Sequence, residues 1–316
     1  MLTKFCSFTL ASSLFIFTAC GNQSNEGKDA SEVIIPDAPD AAIKTILTEF
    51  GKGDAGILWD AMPESYQLDI DTLAKLAGEK ADPEVYNKSF QLVDKLAGVL
   101  SKQQNFILGS VAAKSDGSPE SVESLEQLKT AIPEVVKVLQ TLTQSSLATV
   151  EGLQGFSGET FFDTTITSLT EQFKSLSELS GEGISLEDIN AIEVKTIDSD
   201  ELSATLSMVA PGEEPQLQSF TKVDGRWVPT DMASVWDLQV EQAKSQLSAV
   251  TDEERLARRP QLLGALTMID GLLTQINAAE TQAQFDQAVQ GAMMPLFGLM
   301  MMFQQPAPAA PAPVTP

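Results

Sequence analysis

The sequence contains no histidine, and its two cysteines, Cys6 and Cys20, both fall within the first twenty residues. A body lacking imidazole and thiol cannot assemble Ser-His-Asp or Cys-His catalysis, thiolate zinc sites or disulfides. Basic residues are also scarce. Twenty Lys and Arg stand against 44 Asp and Glu, a formal charge of −24. Such a surface repels nucleic acid and anionic headgroups, so nucleic acid is excluded as a partner. No cofactor is expected, and no catalytic motif survives inspection, so the chain reads as non-enzymatic. Hydrophobic residues nevertheless make up 43% of the chain, which is ordinary for a folded protein, so the acidity describes a surface and not a disordered chain.

The N-terminus carries Lys4 followed by an apolar stretch over residues 5–17, the layout of a secretory signal. A membrane-crossing helix needs roughly 20 apolar residues, so this stretch reads as a removable leader over residues 1–19. At its end stand Phe17, Thr18, Ala19, Cys20, Gly21 and Asn22. These residues resemble the bacterial lipobox, with Phe17 in the place usually held by Leu. The resemblance implies that Cys20 receives diacylglycerol and becomes the mature N-terminus, making the chain a lipoprotein. Each buried methylene contributes ~0.8 kcal/mol, so more than one acyl chain makes attachment stable. By the lipoprotein sorting habit of two-membrane bacteria, where that applies, Gly21 in place of Asp after the cysteine implies passage to the outer membrane, facing the periplasm. Removing Lys4 with the leader leaves 19 of the 20 basic residues against 44 acidic ones, a formal charge of −25. Residues 20–38 are mostly polar and read as a lipidated flexible tether.

Residues 39–303 form the expected body: α+β, mostly helical, with a small antiparallel sheet over about residues 190–229 and helices after it. A division into 39–180 and 181–303 is the alternative domain plan. Pro39 suits a first helical turn before Ile43, Ile46, Leu47 and Phe50. Asp82-Pro83 opens a helix bearing Tyr86, Phe90, Val93, Ala97 and Leu100. A helix pair is expected to start at Ser118-Pro119 and at residues 130–133. A glycine-containing loop follows over residues 152–158, and then a stripe of Phe162, Ile166, Leu169, Phe173 and Leu176, ended by Gly181 and Gly183. Alternation at Ile192, Val194 and Thr196, and at Leu202, Ala204, Leu206 and Met208, marks two strands joined by a turn at residues 198–200. A third strand meets Arg226-Trp227-Val228 across Asp224-Gly225, a dipeptide suited to a tight hairpin. Thr251 with Glu254 forms a capping box, and Thr281 with Gln284 caps the last helix.

The helix ending at Phe50, the segment over residues 51–67 and Phe220-Thr221-Lys222-Val223-Asp224-Gly225-Arg226-Trp227-Val228-Pro229 resemble the nuclear transport factor 2-like superfamily. That resemblance implies N-terminal helices before a curved antiparallel sheet. Residues 57–110 also resemble uncharacterised secreted bacterial proteins, a likeness that implies no activity.

Three short motifs read as structure. Gly51-Lys52-Gly53-Asp54-Ala55-Gly56 spells GxGxxG but follows a helix, so helix termination and an Asp cap are expected. Ser219 and Lys222 match Ser-x-x-Lys, but on a strand residues three apart face opposite ways. Gly155-Phe156-Ser157-Gly158 lacks the spacing and the base of a nucleophile elbow. Paired carboxylates could serve a hydrolase of the envelope, yet sequence selects no pair among 44. Asp198, Asp200 and Glu201 read as a solvated turn rather than a calcium loop.

The segment over residues 292–303 packs Met293, Met294, Met300, Met301 and Met302 among apolar neighbours. Three readings apply: a buried helix end, contact with a partner or membrane, and thioether binding of copper. Residues 304–316 read as a disordered Pro/Ala tail. The functional expectation is a lipid-anchored envelope module that binds or scaffolds a protein or small-molecule partner. Its alternatives are a carboxylate-dependent hydrolase and methionine-based copper handling.

Overall fold

A computed structural model describes residues 33–180 and 186–304. Cys20, Gly181, Gly183 and the tail from residue 305 lie outside the described residues. The fold is α+β, with one four-stranded antiparallel sheet set among helices.

Helix α1 (Pro39–Gly51) starts on its proline and lays Ala42 and Ile43 against the sheet. The strands β1 (Glu193–Ser199), β2 (Ser203–Val209), β3 (Gln216–Val223) and β4 (Arg226–Pro229) pair in sequence order. Ala204, Leu206, Phe220 and Trp227 complete this core cluster, so the alternation read in the sequence does point one face inward. Asp224 (φ 48°) and Gly225 (φ 77°) both adopt left-handed backbone, as a two-residue type I′ hairpin requires. The β1–β2 turn lies two residues later than expected, over residues 200–202. Asp200 Oδ1 accepts from the Leu202 and Ser203 N–H groups, each at 2.8 Å, leaving Leu202 exposed. A register shift between Thr196 and Asp198 bulges β1. The last residues of the expected tether are docked here. Ile35 packs on the sheet core, and the Asp37 carbonyl accepts from Trp227 Nε1 at 2.8 Å.

After the short helix α2 (Gly56–Asp60) come α3 (Glu64–Lys80), α4 (Pro83–Lys102) and α5 (Gln104–Ala112). Asp82 caps α4 as expected, its Oδ1 accepting from the Glu84 and Val85 N–H groups. The expected helix pair is in fact one helix, α6 (Pro119–Thr143), which runs through Pro133. A proline leaves the carbonyl four residues earlier without its helical donor. That carbonyl, Lys129 O, instead accepts from Gln104 Nε2 at 2.9 Å. The expected loop at residues 152–158 contains two short helices, α7 (Val150–Gln154) and α8 (Gly158–Phe161), capped by Thr149 and Ser157. Local capping chemistry outweighs the glycines there. Gly158 presses against Trp59, where an added Cβ would stand 2.0 Å from the ring.

A π-helical turn over Phe162–Ile166 leads into α9 (Thr167–Ser180). Phe162 and Ile166 of the expected stripe pack on a core cluster and Leu169 is buried, but Phe173, one turn further along the regular helix, is exposed. The short α10 (Leu186–Asn190) then packs on α1.

Beyond the sheet, α11 (Thr230–Ala249) packs on α3, with Tyr66 and Trp236 stacked at a centroid distance of 4.0 Å. Helix α12 (Asp252–Asn277) opens on the expected Thr251/Glu254 capping box and lies along α4. Its C-terminal carbonyls are held by the other chain segment. Lys102 Nζ donates to Asn277 O at 2.6 Å, and buried Gln103 donates from Nε2 to Ile276, Asn277 and Ala279 carbonyls. Helix α13 (Gln282–Gln304) packs on α12 and α5, and Thr281 Oγ1 accepts from Gln284 N–H at its start.

Candidate functional site

Cys20, the expected lipidation residue, lies outside the described residues, so the geometry begins with the methionines. On α13, Phe285, Ala292 and Leu299 recur every seven residues and are buried. Phe285 meets Phe106 of α5 with ring centroids 5.9 Å apart. Met293 (66% exposed), Met294 (77%) and Met301 (48%) lie elsewhere on the helix surface with exposed Phe297, so the reading of these three as core filling is corrected. The seven-residue core repeat already occupies the inward face, and the extra apolar residues have only the outer one. Met300 and Met302 belong to the backbone of α13, but their side chains lie outside the described residues. Adjacent Met293 and Met294 point about 100° apart, and Met294 and Met301 are two turns, roughly 10 Å, apart along the axis. One helix with this spacing does not converge three thioethers on one ion. Among the described residues no metal-holding group of three or more acidic side chains occurs either.

The short motifs fall to structural roles. Gly53 takes φ 95° after α1, and Asp54 Oδ1 accepts from Gly56 N–H at 3.0 Å, although the N-cap position of α2 is held by Ala55 and not by the expected Asp. Ser157 caps α8. Lys222 pairs with Asp37 and stands 5.3 Å from the centre of the Trp227 ring, while Ser219 is exposed. Asp200 is engaged by the turn backbone and the Ser203 hydroxyl, which hold its carboxyl below its ordinary range. One carboxylate is pushed the other way. Partial desolvation, together with Asp60, Glu159 and Asp54 nearby, raises Asp163 on the π-helical turn, although solvent still reaches the residue. Asp163 lines neither of the two cavities described for this fold.

The larger of those cavities, about 530 Å³, opens where three helix ends converge. The first turns of α4 form one wall, the last turn of α11 another, and the first turns of α12 the third. Val85, Tyr86, Ala249, Val250 and Leu262 supply apolar surface, with Ser89 and Gln246 between them. Its carboxylates are engaged elsewhere: Asp82 caps α4, and Glu254 Oε2 accepts from Thr251 N–H and Oγ1.

Three of the four arginines in the chain, Arg255, Arg258 and Arg259, stand on one turn beside this cleft. Arg259 pairs with Glu84 and lies 3.7 Å from Asp82. Arg255 Nη2 pairs with Asp252 at 2.9 Å and its Nη1 donates to Ala81 O at 3.3 Å, yet its enclosed Nε has no acceptor. Arg258 lines the cleft, and no ion pair or hydrogen bond engages it among the described residues. The sequence reading passed over this group. Its signal was compositional: three arginines within five positions of a chain that otherwise spreads lysines among many acids.

Comparison with known proteins finds no matching family model, no matching curated protein and no matching solved structure, so function is argued from this geometry.

Proposed function

We propose that the chain is a non-enzymatic binding or scaffolding module of the bacterial envelope. Lipid on Cys20 holds it on a membrane, the outer membrane facing the periplasm. The observation that carries the binding role is the cleft among α4, α11 and α12. Its volume of about 530 Å³ falls in the range of small-molecule sites, and its polar groups converge on an apolar lining. The lipobox-like residues ending at Cys20 support the anchor, and no described helix is long and apolar enough to cross a membrane. Mass spectrometry of the native N-terminal peptide should find an acylated Cys20, and Cys20→Ser should move the protein into the soluble envelope fraction. An unmodified thiol in the native protein would overturn the anchor. For the cleft, Ser89→Trp should abolish retention of any small molecule that co-purifies with the native protein. Equal retention by the variant removes the binding role from this cleft.

A second reading, a carboxylate-dependent hydrolase, is favoured by one observation, the raised Asp163 beside Asp54, Asp60 and Glu159. It predicts turnover of an envelope glycoside that Asp163→Asn abolishes.

A further inference from the structure

The cleft carries a charge pattern that its surroundings do not. The protein has a formal charge of −24, and its lysines are scattered over the helices and strands. At this one concavity the balance is inverted in effect. Asp82 and Glu254 turn their oxygens onto helix-start N–H groups, and Arg259 is drawn off to Glu84. What remains at the cleft without a partner among the described residues is Arg258, since Arg255 one turn earlier is held by Asp252 and the Ala81 carbonyl. A guanidinium presents donors in a planar fork that matches the oxygens of a carboxylate or phosphate. A cation would meet this fork, and carboxylates already drawn to the helix starts and to Arg259. A neutral apolar ligand would leave it unused.

The rest of the wall sets the other half of the requirement. Val85, Tyr86, Val250 and Leu262 form a hydrocarbon surface next to the arginines. Free inorganic anions gain nothing from such a surface, whereas an apolar body buried against it gains about 25 cal/mol per Å² removed from water. We infer that this cleft binds an organic anion whose carboxylate or phosphate head pairs with Arg258, and whose apolar body lies along Val85, Tyr86, Val250 and Leu262. The inference rests on the binding-module reading and names the chemistry of its ligand. Arg258 sits at the mouth, since it is exposed, so the head stays near solvent and the body enters first.

Calorimetric titration of the full-length protein with 4-phenylbutyrate, 4-phenylbutyl phosphate, 4-phenylbutanol and inorganic phosphate tests it. At least one of the two organic anions should bind about tenfold or more tightly than the alcohol, and inorganic phosphate should bind weakest. Preference between the acid and the phosphate ester identifies which head the cleft takes. Arg258→Gln should remove most of the advantage of the anion without moving the thermal midpoint, because Arg258 makes no contact that holds the fold. Arg258→Lys should restore part of it. An alcohol bound as tightly as both anions overturns the anionic assignment and leaves the binding module standing. An anion preference unchanged in Arg258→Gln also overturns it. If no probe binds, the inferred ligand chemistry fails, and retention by Ser89→Trp separately decides the binding module.

Discussion

Asp69 of α3 and Lys244 of α11, 175 residues apart in sequence, meet at 2.9 Å between Oδ1 and Nζ. The other oxygen of the same carboxylate accepts from Trp236 Nε1 at 3.2 Å, beneath the Tyr66–Trp236 stack. One side chain thus orients both the cation and the indole that fasten α11 to the helical body. Replacing Asp69 by Ala should destabilise the protein by about 1–2 kcal/mol, chiefly through the unsatisfied indole N–H, since the ion pair is partly exposed and screened. Urea unfolding followed by tryptophan fluorescence checks this, and an unchanged midpoint would show that the carboxylate is dispensable.

Gln103→Leu should cost about 2–3 kcal/mol, because it strips donors from the carbonyls of Ile276, Asn277 and Ala279 at a position only 1% exposed. Hydrogen exchange should report the loss first at the α12–α13 junction. Protection there equal to wild type would contradict the assignment.

Gly158→Ala should destabilise by about 1–3 kcal/mol, since the new Cβ overlaps the Trp59 ring. Pairing it with Trp59→Leu should recover part of the loss. Additive costs in the double variant would mean that the close approach is not the cause.

Acid should act on two sets of carboxylates with opposite signs. Hydrogen bonds from the Leu202 backbone and from Ser203 at Asp200, from Ser65 at Asp224, from Lys95 at Asp270 and from Ser110 at Asp286 hold these groups below their ordinary range. Their stabilisation is present above the unfolded-state value and is lost as pH falls through the lower folded-state values, below about pH 4. Asp163 is raised, so its favourable contribution is present at low pH and disappears as pH rises through its folded value. Asp163→Asn should therefore raise the thermal midpoint at neutral pH, with the gain vanishing in acid. A gain that persists below about pH 4 would count against desolvation as its source.

Much of the architecture is legible in the sequence because its signals are local. Asp82-Pro83, Thr251 with Glu254, and Asp224-Gly225 each act within a few residues, and each does in the fold what its chemistry demands. The failures are non-local. Pro133 reads as a helix start until Gln104 is known to reach the carbonyl that the proline leaves unpaired. The outward placement of Met293, Met294 and Met301 follows from the packing of α13 on α5 and α12, which no residue of that segment announces. The cleft is hardest to see, since Tyr86 and Arg258 stand far apart in the chain and only the run of α12 along α4 brings them to one cleft.

Helix α3 begins without a cap of its own, as Pro63 offers no side-chain acceptor. The missing acceptor comes from the hairpin, where Asp224 Oδ2 takes the Ser65 N–H at 3.1 Å across 159 residues of chain. The start of an early helix is thereby completed only when a late ribbon closes, which ties its assembly to one of the longer loop closures in the fold. Until residues 216–229 have paired, the Ser65 N–H of the first turn of α3 lacks this acceptor, wherever along its route the chain folds.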